Sequence, residues 1–129
     1  MPMDYIIDRD RRLVISVAHG SLTFADVERH QRALLVDPDF DSTFDQIGDL
    51  TRVTEFLLTS EEIRIAAARK VFSHGSRRVG IAPNDLQFAM LRMFETYREV
   101  FGGLEVTQVV RTREEALAWY QSHPGKANA

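Results

Sequence analysis

Cysteine is absent from all 129 residues. Disulfide frameworks, thiol nucleophiles and cysteine-ligated zinc are therefore excluded outright. Long apolar runs are missing too: nothing approaches the ~20 residues that a membrane-spanning helix needs. The opening MPMDYIIDRD lacks the apolar stretch of a secretory leader. No transmembrane segment is expected, and a cytoplasmic location is the default. Charge of one sign is also scarce. The formal net charge is −3, with both signs interspersed, whereas a nucleic-acid surface needs a basic stripe. The short clusters at 9–12 (RDRR) and 76–78 (SRR) do not supply one, so no nucleic-acid partner is expected. No internal repeat or linker breaks the chain.

What is present is ordinary globular material. Hydrophobic residues make up 44% of the chain and charged residues 27%, enough for one core at this length. One domain over residues 1–122 is expected, released by His123-Pro124-Gly125 into a polar, frayed tail at 123–129.

Residues 44–67, FDQIGDLTRVTEFLLTSEEIRIAA, organise the reading. They predict a buried strand over 44–50, a loop that turns outward, and a helix capped by the T-x-x-E pair Thr59 and Glu62. Before them, strands over 4–8 and 12–18 read as a hairpin. Leu13, Ile15 and Val17 form one apolar face of the second strand, which Gly20-Ser21 ends. Thr23 and Asp26 open a helix with Phe24, Val27, Gln31, Leu34 and Leu35 on one side, and Asp37-Pro38 stops it. After them, a strand over 78–82 ends at Pro83. A long helix follows, capped by Asn84 or Asp85 and terminated by Gly102-Gly103. A strand over 104–110 and a helix opened by Thr112 and Glu115 close the chain. The order ββαβαβαβα predicts an α/β fold, with a mixed, mostly parallel five-stranded sheet, flanking helices and an antiparallel edge.

No nucleophile–base–orienter set is visible, so no enzyme, cofactor or metal site is expected. Asp37, Asp39 and Asp41 alternate as in a calcium loop, but Ser42 and Gly48 stand where that loop needs glycine and glutamate. The four histidines show no ligand spacing. Asp49 is a candidate site carboxylate at a strand's C-terminal end, against the plainer role of bonding nearby backbone N–H groups.

The apolar residues are more informative. In the long helix, Leu86, Met90, Met93, Phe94, Tyr97 and Phe101 share the expected core face, while Phe88 and Leu91 lie on nearly the opposite side. In the helix before it, Ile63, Ala66, Ala67 and Val71 share a face, and Ile65, Ala68 and Phe72 point elsewhere. Phe56, Leu57 and Leu58 add a greasy loop. A helix apolar on both sides is buried or used for contact. The contact reading makes Phe56, Leu57, Leu58, Ile65, Phe72, Phe88 and Leu91 a surface for a protein partner, a second copy in a homodimer, or a small apolar ligand held between helices.

The order of elements, with YIID, VISVAHGSLT, DPDF, GDLTRV, RRVGIAP, FAMLRMFE and EEALAWY in sequence, resembles the SpoIIAA-like fold of STAS domains. It is nearest to a bacterial branch of unassigned function, and the resemblance covers about residues 5–120. It implies a non-catalytic interaction module of regulatory type. In that family a switch serine at the start of the helix after the central strand is phosphorylated, and the matching positions here are Thr59 and Ser60. The surrounding LLTS lacks the family's Asp and Gly. The same superfamily includes lipid-binding domains, which implies an apolar ligand as the alternative to a protein partner.

Overall fold

The computed structural model describes residues 2–124. Residues 125–129, most of the expected tail, lie outside them. The elements follow the expected order: β1 (Met3–Asp8), β2 (Leu13–Leu22), α1 (Phe24–Val36), β3 (Asp45–Phe56), α2 (Ser60–Ala68), β4 (Arg77–Ile81), α3 (Asp85–Val100), β5 (Val106–Val110) and α4 (Arg113–Ser122). The five strands form one sheet in the order β1-β2-β3-β4-β5. The β1–β2 hairpin is antiparallel, and every later pairing is parallel, joined by a helical crossover.

Each helix starts where a side chain satisfies its first free N–H groups. Thr23 with Asp26 and Thr59 with Glu62 form reciprocal capping boxes, while Asn84 and Thr112 accept from the N–H of Gln87 and Glu115. Such caps contribute about 1 kcal/mol each. Asp37, held extended by Pro38, closes α1.

Two strands run further than their sequences suggest. β2 continues past Gly20 to Leu22 because register shifts between Val17/His19 and Gly20/Ser21 absorb the irregular residues. That extension gives β3 a partner, with His19 opposite Arg52 and Leu22 opposite Phe56. The segment expected to loop outward after Leu50 is therefore strand. The helix α2 is shorter than expected. It ends at Ala68, with Arg69 extended as its C-cap, and the chain then turns Val71 and Phe72 into the core.

The sheet divides the helices three to one. Against one face, Val14, Ala18, Leu22, Leu34, Leu50, Leu58, Ile63 and Phe72 bury themselves between the strands and α1, α2 and α3. Against the other, Val79, Ile81 and Val110 pack on Ala116 and Trp119 of α4. No helix among the described residues is long and apolar enough to cross a membrane.

Candidate functional site

The residues marked out by sequence do not gather in one place. Thr59 is committed as a cap: its Oγ1 accepts from Glu62 N at 3.2 Å, and Glu62 Oε1 accepts from Thr59 N at 2.9 Å. Ser60 beside it is exposed. Asp49 lies mid-strand rather than at a strand end, because β3 continues to Phe56. Its Oδ1 accepts from Thr51 N at 2.8 Å, and its Oδ2 from Arg113 Nε and Nη2 at 3.1 and 2.9 Å. Burial alone would raise its pKa, but the bonds from Thr51 and the Arg113 charge outweigh that and hold it below the ordinary carboxylate value. Asp49 thus ties β3 to the start of α4. The aspartates of the 37–41 loop are similarly occupied, accepting from Tyr5, Asp39 N and Thr43.

The seven apolar residues split, which corrects the single contact surface expected of them. Leu57 and Ile65 are exposed, at 50% and 41%. Phe88 is half-buried beneath the Arg111 guanidinium, 4.2 Å from its ring centre. Leu58 and Phe72 are core residues, Phe72 only 1% exposed, and Phe56 and Leu91 are half-buried. The reason is a rotation of α3 relative to its apolar stripe. Gln87 and Arg98 are buried, and Leu91 and Phe94 lie between them on the same side, while Leu86 and Phe101 of the expected core face are exposed. In α1, likewise, Leu34 is buried with His30 and Gln31, whereas Leu35 is exposed.

Phe56, Leu58, Phe72 and Leu91 share one thing: all four line a cavity of about 150 Å³ between the sheet and the three helices. Its floor follows from strand alternation. Ser16, Gly48, Gly80 and Val109 stand side by side on the helix-facing side of four adjacent strands. Two neighbouring glycines leave a trough where side chains would otherwise meet the helices. Leu91 fills it above Gly80, where an added Cβ would lie 2.7 Å from Leu91 Cδ1. Above Gly48 only the Val79 carbonyl comes within 4 Å, at 3.9 Å. The space over Gly48 is the cavity.

A chain of polar groups runs beside this trough, none of it marked by sequence motifs. His30 Nε2 and Ser16 Oγ are 2.8 Å apart, and Gln46 Nε2 donates to Ser16 Oγ at 3.1 Å. Arg78 Nε donates to Gln46 Oε1 at 3.0 Å and its Nη1 to Glu105 Oε2 at 2.8 Å. Arg98 completes the chain, gripping Glu105 through Nε and Nη2 at 3.1 and 2.9 Å and donating from Nη1 to the Ala67 carbonyl. The Arg78 guanidinium lies over two aromatic rings, 4.3 Å from the centre of Phe72 and 5.4 Å from that of Phe94. Burial, assisted by the Arg78 charge, lowers the His30 pKa to about 4, so the imidazole is neutral at pH 7. Burial would raise Glu105, but the bonds and charges of Arg98 and Arg78 hold it below the usual value.

A serine touching a neutral imidazole has the composition of a nucleophile–base pair. Ser16, however, is 1% exposed and already accepts from Gln46, and Ser16 is the only hydrogen-bond partner of His30 among the described residues. The arrangement suits positioning and recognition better than nucleophilic attack. Of the residues missed, only the glycines carried a sequence signal: Gly48 and Gly80 interrupt apolar strands, as happens where something approaches the backbone closely. Comparison of the chain with models of known families, with curated proteins and with solved structures finds no match.

Proposed function

We propose that this chain is a non-catalytic binding module that holds a small, mainly apolar molecule between its sheet and helices α1–α3. One observation carries this reading: the sheet gives up side chains at Gly48 and Gly80, and the space over Gly48 stays unfilled and lined by Leu58, Phe72 and Leu91. Close packing is the norm in protein interiors, and each unfilled apolar void is destabilising. A hollow with a polar chain along one side is therefore better explained by an occupant than by folding. The volume narrows the choice of apolar ligand. Apolar cavities of ~150 Å³ take benzene-sized molecules, and drug-sized ligands need ~300–1,000 Å³. A long acyl chain does not fit.

The test is ligand-observed NMR with toluene and other single-ring probes, backed by thermal unfolding. Binding lost in Gly48→Leu, which fills the trough, supports the reading. No saturable binding by any single-ring probe sinks it.

A second reading has its own support. The element order and the hairpin edge agree with the resemblance to SpoIIAA-like STAS domains, and exposed Leu57 and Ile65 leave apolar area at the start of α2. On that reading the module works through protein contacts and self-associates as a homodimer. Light scattering across a concentration series tests it, with Ile65→Asp as the control. A monomer at every concentration removes the homodimer.

A further inference from the structure

We propose that the molecule held over Gly48 is a small monocarboxylate, a single ring or short branched chain bearing one carboxylate that Arg78 receives. This rests on the binding reading above and adds the charge of the ligand to it.

The argument begins with a charge count along the polar chain. Arg78 and Arg98 share one carboxylate, Glu105. Arg98 holds both oxygens of that carboxylate and spends its remaining nitrogen on the Ala67 carbonyl, so it is fully committed. Arg78 donates a single bond to the pair, from Nη1 to Glu105 Oε2. The cluster therefore carries one excess positive charge, and it falls on Arg78. The side chains concerned are largely buried: Arg78 is 15% exposed, Arg98 6% and Glu105 1%. An uncompensated charge in such a place is costly, and a second anion relieves that cost.

No other carboxylate among the described residues takes that part. Glu95 also lines the cavity, but its neighbours are Thr107, Arg92 and Glu99. Asp45 is bound to Arg77, whose guanidinium lies over the ring of Tyr120 in α4, away from the cavity lining.

Donor geometry agrees. Arg78 Nε is used by Gln46 and Nη1 by Glu105, while Nη2 has no hydrogen-bond partner among the described residues. The guanidinium packs on the rings of Phe72 and Phe94, and its free N–H groups lie along its edge, the direction from which carboxylates bind arginine. A second donor stands at the other end of the same polar chain. With Gln46 donating to Ser16 Oγ, the arrangement that leaves no buried hydroxyl hydrogen unsatisfied has Ser16 donate to His30 Nε2. That places the ring proton on His30 Nδ1, which has no hydrogen-bond partner among the described residues, on a side chain that lines the cavity. The rest of the lining, with Leu34, Leu50, Ile63 and Leu91, suits a hydrocarbon body. Size and charge together select an acid about as large as benzoate.

The experiment is calorimetric titration of the whole chain at pH 7 with benzoate, benzamide and toluene. The first two share a shape and differ in charge, and the third has no polar head. Benzoate is expected to bind roughly tenfold to a hundredfold more tightly than benzamide, the range of a charge-assisted hydrogen bond. Arg78→Met is expected to abolish that preference while toluene still binds. Because Arg78→Met disturbs Glu105, Gly48→Leu serves as a second variant that leaves the polar chain alone; it should abolish binding of all three. Benzamide or toluene binding as tightly as benzoate overturns the carboxylate while leaving the cavity reading intact. Benzoate binding that survives Gly48→Leu places the acid elsewhere and also overturns it. If none of the three binds, the cavity reading itself fails and takes this inference with it.

Discussion

The two faces of the sheet are built from the same strands and are packed in opposite ways. On the α4 side, Val79, Ile81 and Val110 meet Ala116 and Trp119 directly, and Tyr120 reaches in to donate to the carbonyls of Gln46 and Arg77. One helix suffices there because the strands present branched aliphatic residues that fill the gap. On the other side three helices cover the same strands, and there the strands present Ser16, Gln46, Gly48, Arg78 and Gly80. Each of these residues is a poor choice for filling a core. The contrast separates a face that is filled throughout from a face whose middle, between the clusters around Val14 and Leu22, is left open, and such departures from consistent packing concentrate where a protein does its work.

Breaking the buried triad should have the largest effect on this contrast. Glu105→Gln leaves Arg78 and Arg98 without their shared anion, and a loss of about 3–5 kcal/mol is expected from urea unfolding. Replacing Arg78, Glu105 and Arg98 together by apolar residues should cost far less, since it leaves no orphaned charge. Equal losses from the single and triple variants would mean that the triad is there for stability, and the difference between the faces would lose its meaning.

Acid is the next lever. His30 has a pKa near 4 folded against 6.5 unfolded, so below pH 6.5 the unfolded chain binds the extra proton and stability falls as pH drops toward 4. The contribution lost is about 3 kcal/mol. It is fully present above pH 6.5 and should be missing from the pH profile of His30→Gln. A variant that keeps the same slope between pH 6.5 and 4 would assign the acid sensitivity to other groups.

Smaller effects distinguish the two glycines. Gly80→Ala places a methyl 2.7 Å from the end of the Leu91 side chain, which must swing aside, and should cost up to about 1 kcal/mol. Gly48→Ala enters open space and should be neutral, or stabilise by about 0.5–1 kcal/mol through reduced chain entropy. If both substitutions cost alike, the space over Gly48 closes in solution. Of similar size is Thr59→Ala, with a loss of about 1 kcal/mol if the residue acts as a cap, and Thr59→Asn should restore it. Failure of Asn to restore stability would point to a role for Thr59 beyond the cap.

Much of the fold was legible in advance because its signals are local. The T-x-x-E and T-x-x-D caps placed the starts of α1, α2 and α4, and alternating apolar residues placed the strands. Boundaries failed where a partner far away in sequence decided them. The second half of β3 is strand only because β2 runs on to Leu22, and α2 stops short because Phe72 is drawn into the core formed with Val14, Leu34 and Phe44. The candidate site was hardly legible at all. Of the residues expected to form a partner surface or to hold an apolar ligand between helices, Phe56, Leu58, Phe72 and Leu91 line the cavity and Leu57 and Ile65 stay outside. The residues that give this lining its chemistry, His30 and Arg78, carry no local signal, because the partners that define them, Ser16 and Gln46, lie far away along the chain.

The chain by itself determined the order and kind of its elements, the caps that start its helices, and the absence of thiol chemistry. All of these depend on residues within a few positions of each other. Only the tertiary structure decided which side of α1 and α3 faces inward. An apolar stripe is the default inner face, but Arg98 turns in to meet Glu105, and His30 to meet Ser16. A buried polar group is stable only beside its partner, and those partners come together only once the sheet has formed.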